Sequence, residues 1–228
     1  MERYRTWEGV VVQRRPLPSG DVVVWFVGPE GPLVAVARGA QRPTARSGRL
    51  SLFSRLGFQT YQRPDQELPV ITQVEALERL GSPEPRRFAL ASLVAELALK
   101  GLSPEAAVRG YGVLVSGLRG VRDYSNPLAA AVWAGFRLMA HAGYSPRGSG
   151  PYLHPSGELT GEPGAGAVYL GEEGVRVLGV VLTRPGREAI PALESAPLDR
   201  LLAALLRFGE AQLGELRSAR VLGGLLRL

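Results

Sequence analysis

The hydrophobic pattern changes period once, near residue 80, and that change divides the chain. Before it the apolar runs are short, rich in Val and Phe, and punctuated by glycine and proline. They are "VVVQRR" (10–15), "VVVWFV" (22–27), "LVAVAR" (33–38), the alternating "LSLFSRLGFQTYQ" (50–62) and "ELPVITQVE" (67–75). β-branched and aromatic residues in runs of this length fit a pleated, half-buried surface. Pro16–Gly20 and "GPEG" (28–31) supply the residues that tight turns need. Five short strands with no long helix between them predict a small barrel or sandwich.

Beyond residue 80 the spacing becomes helical. Ser82-Pro83-Glu84 combines a capping hydroxyl, a proline for the first turn and an acid for the positive helix end. "RRFALASLVAELALKGL" follows, with Phe88, Leu90, Leu93, Val94, Leu97 and Leu102 at helical spacing. Ser103-Pro104-Glu105 repeats the signal and predicts a helix over 107–121. Asn126-Pro127 opens a third, "LAAAVWAGFRLMAHAG", closed by Gly143. Short connections between such helices predict an antiparallel bundle. Residues 144–166 are loop by composition. "AVYLGEEGVRVLGVVLT" (167–183) reads as strand, Gly-Glu-Glu-Gly turn and strand. From Pro197 a last amphipathic helix is expected to pack back on the bundle. The class expected is α+β: a five-stranded barrel over 1–78, a helical domain over 79–145 and 184–228, and a loop and β-hairpin insertion over 146–183.

Charge is distributed unevenly along this plan. Residues 1–64 hold ten arginines against four carboxylates, which is the whole formal surplus of +6. Gly31 to Pro64 contains six arginines and no acid. Arg38, Arg42, Arg46 and Arg49 follow a helical spacing, yet Gly39, Pro43 and Gly48 interrupt it, so the segment reads as a cationic loop. Such a field suits a polyanionic partner.

Motifs for chemistry are absent. There is no cysteine, so no disulfide and no thiolate metal site. No phosphate-binding Gly-rich loop with its lysine and no Gly-x-Ser-x-Gly elbow occurs. "GAGAVY" (164–169) has Tyr169 where a dinucleotide fingerprint needs its third glycine, and it precedes a strand rather than following one. The two histidines, His141 and His154, lack partners in sequence, and Glu172 and Glu173 sit adjacent on an expected turn tip. No enzyme activity, cofactor or metal is expected. No apolar run is long enough for a membrane span and no signal peptide opens the chain, so a cytoplasmic protein is expected.

Binding a phosphate chain needs cations on closely approaching backbone, and aromatic faces for bases. Residues 34–63 interleave arginines with Phe53, Phe58 and Tyr61, and Trp25 lies on a neighbouring strand. Arginine's planar fork can clasp phosphate and stack on bases. The candidate DNA-binding residues are Arg14, Arg15, Arg38, Arg42, Arg46, Arg49 and Arg55, with Trp25 and Tyr61 as stacking platforms. Phe53, Phe58 and Trp25 can equally be barrel core.

Several segments together resemble the RecO family of bacterial recombination mediators: "GVVV" (9–12), "SGD" (19–21), "LVAVARGAQRP" (33–43), "SGRLSLF" (47–53), "HAGYSP" (141–146) and "GELRSARVL" (214–222). The resemblance implies an N-terminal OB-fold, a helical domain and a peripheral loop-and-strand element. It implies binding of single- and double-stranded DNA and annealing of complementary strands. It further implies work with RecR in loading RecA onto strands coated by single-strand-binding protein, whose acidic C-terminal tail meets the helical part. Arg119, Arg122 and Arg137 are candidates for that partner contact, chosen for basic character beside apolar helix. Many relatives carry a four-cysteine zinc site where this chain has residues 147–171, and here no cysteine remains. An RNA-binding or ribosome-associated OB-fold protein, and a basic protein-interaction scaffold, stay open as alternatives.

Overall fold

A computed structural model describes residues 4–41, 48–193 and 195–226. Strands β1 (Tyr4–Pro16), β2 (Val22–Gly28), β3 (Gly31–Ala37), β4 (Ser54–Tyr61) and β5 (Val70–Arg79) close into a barrel in the order β1-β2-β3-β5-β4. Neighbours are antiparallel except β3 and β5, which meet in parallel at Val36 and Val70. This is the OB-fold arrangement expected. The period-2 reading of residues 54–61 holds residue by residue, with Ser54, Leu56, Phe58 and Thr60 buried and their neighbours part-exposed. Inside the barrel the rings of Phe26 and Phe58 stack with centroids 4.2 Å apart. Trp7 Nε1–H donates to Thr60 Oγ1 at 2.8 Å, tying β1 to β4 by side chains as well as backbone.

Valines on the barrel's outer face serve a second core. Val10 and Val27 are fully buried, together with Phe53, against helices rather than in the barrel interior. Those helices are α1 (Pro85–Gly101), α2 (Pro104–Asp123) and α3 (Pro127–His141), each with proline in its first turn. Ser103 caps α2, its Oγ accepting from Ala106 N–H at 3.3 Å. The signal at Ser82 works differently: its Oγ accepts from Glu84 N–H at 3.2 Å in a turn, and α1 begins at Pro85. Helix α3 is buried on nearly every side and forms the axis of the bundle. Gly31, at φ +107°, turns the β2–β3 hairpin against α2, where a Cβ would lie 3.0 Å from Pro104 Cα. That end of the barrel is therefore covered by α2, and the opposite end is formed by the β1–β2 turn at Pro16–Asp21.

The region after α3 differs from the sequence expectation. Four short strands, β6 (Arg147–Gly148), β7 (Tyr152–Leu153), β8 (Glu158–Thr160) and β9 (Val168–Tyr169), form a small sheet in the order β6-β8-β7-β9. What reads as the hairpin's turn and second strand is a helix, α4 (Gly171–Thr183). Gly174, Val177, Leu178 and Val181 recur at 3, 4 and 7 residues and are buried. Packing of that stripe outweighs the β-propensity of the valines. Glu172 and Glu173 lie in the helix's first turn, where the macrodipole favours acids. Helices α5 (Gly186–Ala192), α6 (Leu198–Leu213) and α7 (Arg217–Leu226) complete the chain. Helix α6 is the expected last amphipathic segment and ends at Gly214 with φ +78°.

Two carboxylates clamp the barrel to the bundle. Glu8 Oε1 accepts from Arg55 Nε–H at 2.9 Å and from Tyr111 O–H of α2 at 2.7 Å. Glu78 accepts a two-pronged contact from Arg119, at 3.0 and 2.7 Å, and a third from Arg122 at 3.3 Å. Hydrogen bonding and charge from Arg119, with Arg122, hold the Glu78 carboxyl below its ordinary value despite partial burial. Burial opposes ionisation of Glu8, but Tyr111 and Arg55 outweigh it and its carboxyl is also lowered. A carboxyl lowered on folding adds stability above its unfolded value and loses it as pH falls through the folded one. The melting temperature is therefore expected to drop as pH is taken from about 5 to about 3, across the carboxylate range. Glu78→Gln should start lower and show a shallower drop. A thermal melt series against pH checks this, and equal slopes for the two proteins would contradict it.

Candidate nucleic-acid interface

The end of the barrel away from α2 is built by three adjacent strands. Arg15 on β1 pairs with Val23 on β2, which pairs with Val36 on β3, and Pro16, Val22 and Ala37 line up one step further on. Arg38 follows Ala37 directly. Arg14, Arg15 and Arg38 thus lie on one rim, Arg15 and Arg38 separated by two strand spacings and two residues along the strand, about 12 Å. Among the described residues no carboxylate is ion-paired to any of them. Arg15 lies over the Trp25 ring at 5.9 Å, at the outer limit of a cation–π contact. Trp25 is part-exposed on the outer face of β2, not in the barrel core.

The start of the cationic loop is fastened to the same rim. Gln41 N–H donates to the Gly20 carbonyl at 3.1 Å, and its side-chain amide donates to the carbonyls of Leu17 and Asp21 at 2.5 and 3.1 Å. Gly39 N–H donates to Asp21 Oδ1 at 2.8 Å, and with Ser19 it holds that carboxyl below its ordinary value. Asp21 is the acid near Arg38, and it is occupied in shaping the β1–β2 turn. Gln41 and Asp21 do not stand out in the sequence; a Gly-Asp turn facing a glutamine about 20 residues on is the only signal they leave. Arg42 and Arg46 lie outside the described residues. Arg49 donates through Nη1 to the Val74 carbonyl at 2.9 Å and, among the described residues, is in no ion pair. Tyr61 ends β4 opposite Val70, which in turn meets Val36 of β3, and its ring lies 4.8 Å from that of Tyr4. Phe53 and Phe58 are buried core residues, 2% and 3% exposed.

Four arginines chosen from sequence have other work. Arg55 is engaged by Glu8 at 2.8 Å, because β4 places it on the outer face beneath α2. Arg119 and Arg122 are engaged by Glu78, and Arg122 also by Asp123 at 2.6 Å. They are interdomain struts, not free cations awaiting a partner. Arg137 is half-buried on α3; its Nη1 donates to the Leu182 carbonyl at the end of α4, and its Nε has no partner among the described residues. Burial, with Arg137 and Arg109 nearby, pushes the His141 imidazole below its ordinary value.

The small sheet does not fit zinc. Its one histidine, His154, is bonded through Nε2 to Thr160 Oγ1 at 2.8 Å, and a Cβ on Gly164 would strike the ring. Tetrahedral zinc needs four such donors. Among the described residues no group of three or more His, Cys, Asp or Glu is placed to hold a metal ion. Nor, among them, is any helix long and apolar enough to cross a membrane. The sheet is held instead by packing on α6, with Gly157 against Phe208.

No curated protein is similar enough to the chain to count as a match. Residues 1–80, which contain the whole barrel and its basic rim, match the family model described as "Recombination protein O N terminal". Residues 1–80 are thus an N-terminal domain of the RecO type, carried on a longer chain.

Proposed function

We propose that the protein binds single- and double-stranded DNA along the basic rim of its barrel, anneals complementary strands and, with RecR, loads RecA onto strands coated by single-strand-binding protein. The RecO family acts in DNA recombination and repair, and a cytoplasmic protein without a covalent step of its own suits that role. One observation carries the reading. Among the described residues Arg14, Arg15 and Arg38 stand together with no ion-paired carboxylate, the nearby Asp21 being bonded to Gly39 N–H, whereas Arg55, Arg119 and Arg122, equally basic in sequence, are ion-paired inside the protein. A protein that ion-pairs Arg55, Arg119 and Arg122 and leaves the rim arginines out of ion pairs presents that rim to an external anion. Cations shared between two strands lower their mutual repulsion and let bases search for complements.

A fluorescence assay with two complementary oligonucleotides, bare and coated, tests this. Accelerated pairing in both forms is expected. Tight binding of structured RNA without annealing would transfer the rim to RNA, and negligible affinity for any oligonucleotide at moderate salt would leave a protein scaffold. Replacing Arg42 and Arg46 by alanine should weaken binding to all sequences alike. It should also flatten the salt slope by about one unit per lost phosphate contact.

A further inference from the structure

A groove of about 650 Å³ runs between the outer face of β1, helix α1 and the last helix α7. This is the size of sites that enclose small ligands, about 300–1,000 Å³. Its floor is apolar, and Phe88 stands in it 42% exposed. The Phe88 ring is held edge-on by buried Phe53, with centroids 5.3 Å apart. An exposed aromatic fixed by a second ring presents a stacking face at little entropic cost.

The groove's cations are Arg14, Lys100 and Arg217; Lys100 is ion-paired with Glu96 at 3.5 Å and donates to the Glu215 carbonyl, whereas Arg14 and Arg217 are in no ion pair among the described residues. Its acids are already engaged. Glu96 accepts from the backbone N–H groups of Arg217 and Ser218 at 3.0 and 2.9 Å, and from Ser218 Oγ–H at 2.7 Å, so it anchors the start of α7. Glu215 is paired with Arg220. Arg14 links the groove to the basic rim of the barrel. It also lines the neighbouring depression bounded by Ala40, Gln41 and Gly48, at the root of the cationic loop. Among the described residues its buried Nε has no partner, a deficit that an incoming phosphate oxygen would relieve.

Resting on the DNA-binding reading above, we infer that a single strand leaving the barrel rim at Arg14 continues into this groove. One base stacks on Phe88 and the following phosphate meets Arg217. The occupant is a nucleic-acid strand rather than an acidic peptide because the groove continues the cationic rim through a shared arginine.

Two oligothymidylates separate this from the barrel site. One has about 10 nucleotides, within the reach of a single OB-fold, and the other about 25. Wild-type protein should bind the longer more tightly than site counting predicts. Arg217→Glu, exposed and holding α7 only through its backbone, should bind the short strand normally and lose about tenfold on the long one. Phe88→Ala should do the same, and its melting temperature reports whether Phe53 still packs. If wild type binds neither strand, the barrel reading fails and the groove inference falls with it. If wild type binds both and the variants keep its length dependence, the groove inference alone is overturned. It is equally overturned, in favour of an acidic peptide, if the variants keep that dependence but lose binding of an Asp/Phe hexapeptide that wild type retains.

Discussion

Phe26→Ala is expected to cost the barrel about 3–5 kcal/mol and abolish strand binding while leaving α1 to α3 folded. Phe26 is 1% exposed and stacks on Phe58 at 4.2 Å in the barrel's interior cluster. Most of its other neighbours there are Val and Ala, too small to close over the space a lost ring leaves. The cost is a large part of the roughly 5–15 kcal/mol that holds a typical protein folded. The helices draw on a different cluster, centred on α3 and extending to α6. Amide hydrogen exchange should therefore show rapid exchange across residues 4–79 and retained protection in α1–α3. Simultaneous loss of protection in both regions would mean that the Glu8 and Glu78 clamps make one cooperative unit of barrel and bundle, and that binding cannot be switched off by the barrel alone.

The features legible in the sequence are those that local chemistry decides. The alternation of residues 54–61 fixes which side chains enter the barrel, and proline with a capping residue marks where α2 and α3 begin. Helix α4 is not legible, because its valines favour a strand locally and only burial of the Val177 and Val181 face makes it a helix. Helix α7 is short, and its start is held by Glu96, more than 100 residues earlier in the chain. The binding rim is half legible for the same reason. Arg15 and Arg55 look alike in sequence, but Glu8 lies 47 residues from Arg55 and meets it only when β1 and β4 pair. Arg119 meets Glu78 across 41 residues. Linear charge counting finds the cationic segment; only the fold distinguishes struts from bare cations.

That distinction gives the largest functional effect. The double variant Arg15→Glu/Arg38→Glu is expected to lower affinity for a labelled oligothymidylate about a hundredfold or more at low salt. It should also flatten the dependence of log K on log salt by about two units, one per lost phosphate contact. Both side chains are exposed and neither is in an ion pair among the described residues, so the fold should be nearly untouched, with a change within about 0.5 kcal/mol. As salt rises the gap to wild type should narrow, because the lost contribution is the one that counterions screen. Arg55→Gln supplies the opposite pattern. It strips Glu8 of its ion-pair partner beneath α2 and should lower the melting temperature while leaving the salt slope intact. A titration over several salt concentrations, run beside thermal melts, reads both quantities on each variant. If Arg55→Gln flattened the slope and the rim variant did not, the strand would lie along the β4 face beneath α2, and the basic rim of the barrel would not be the binding surface.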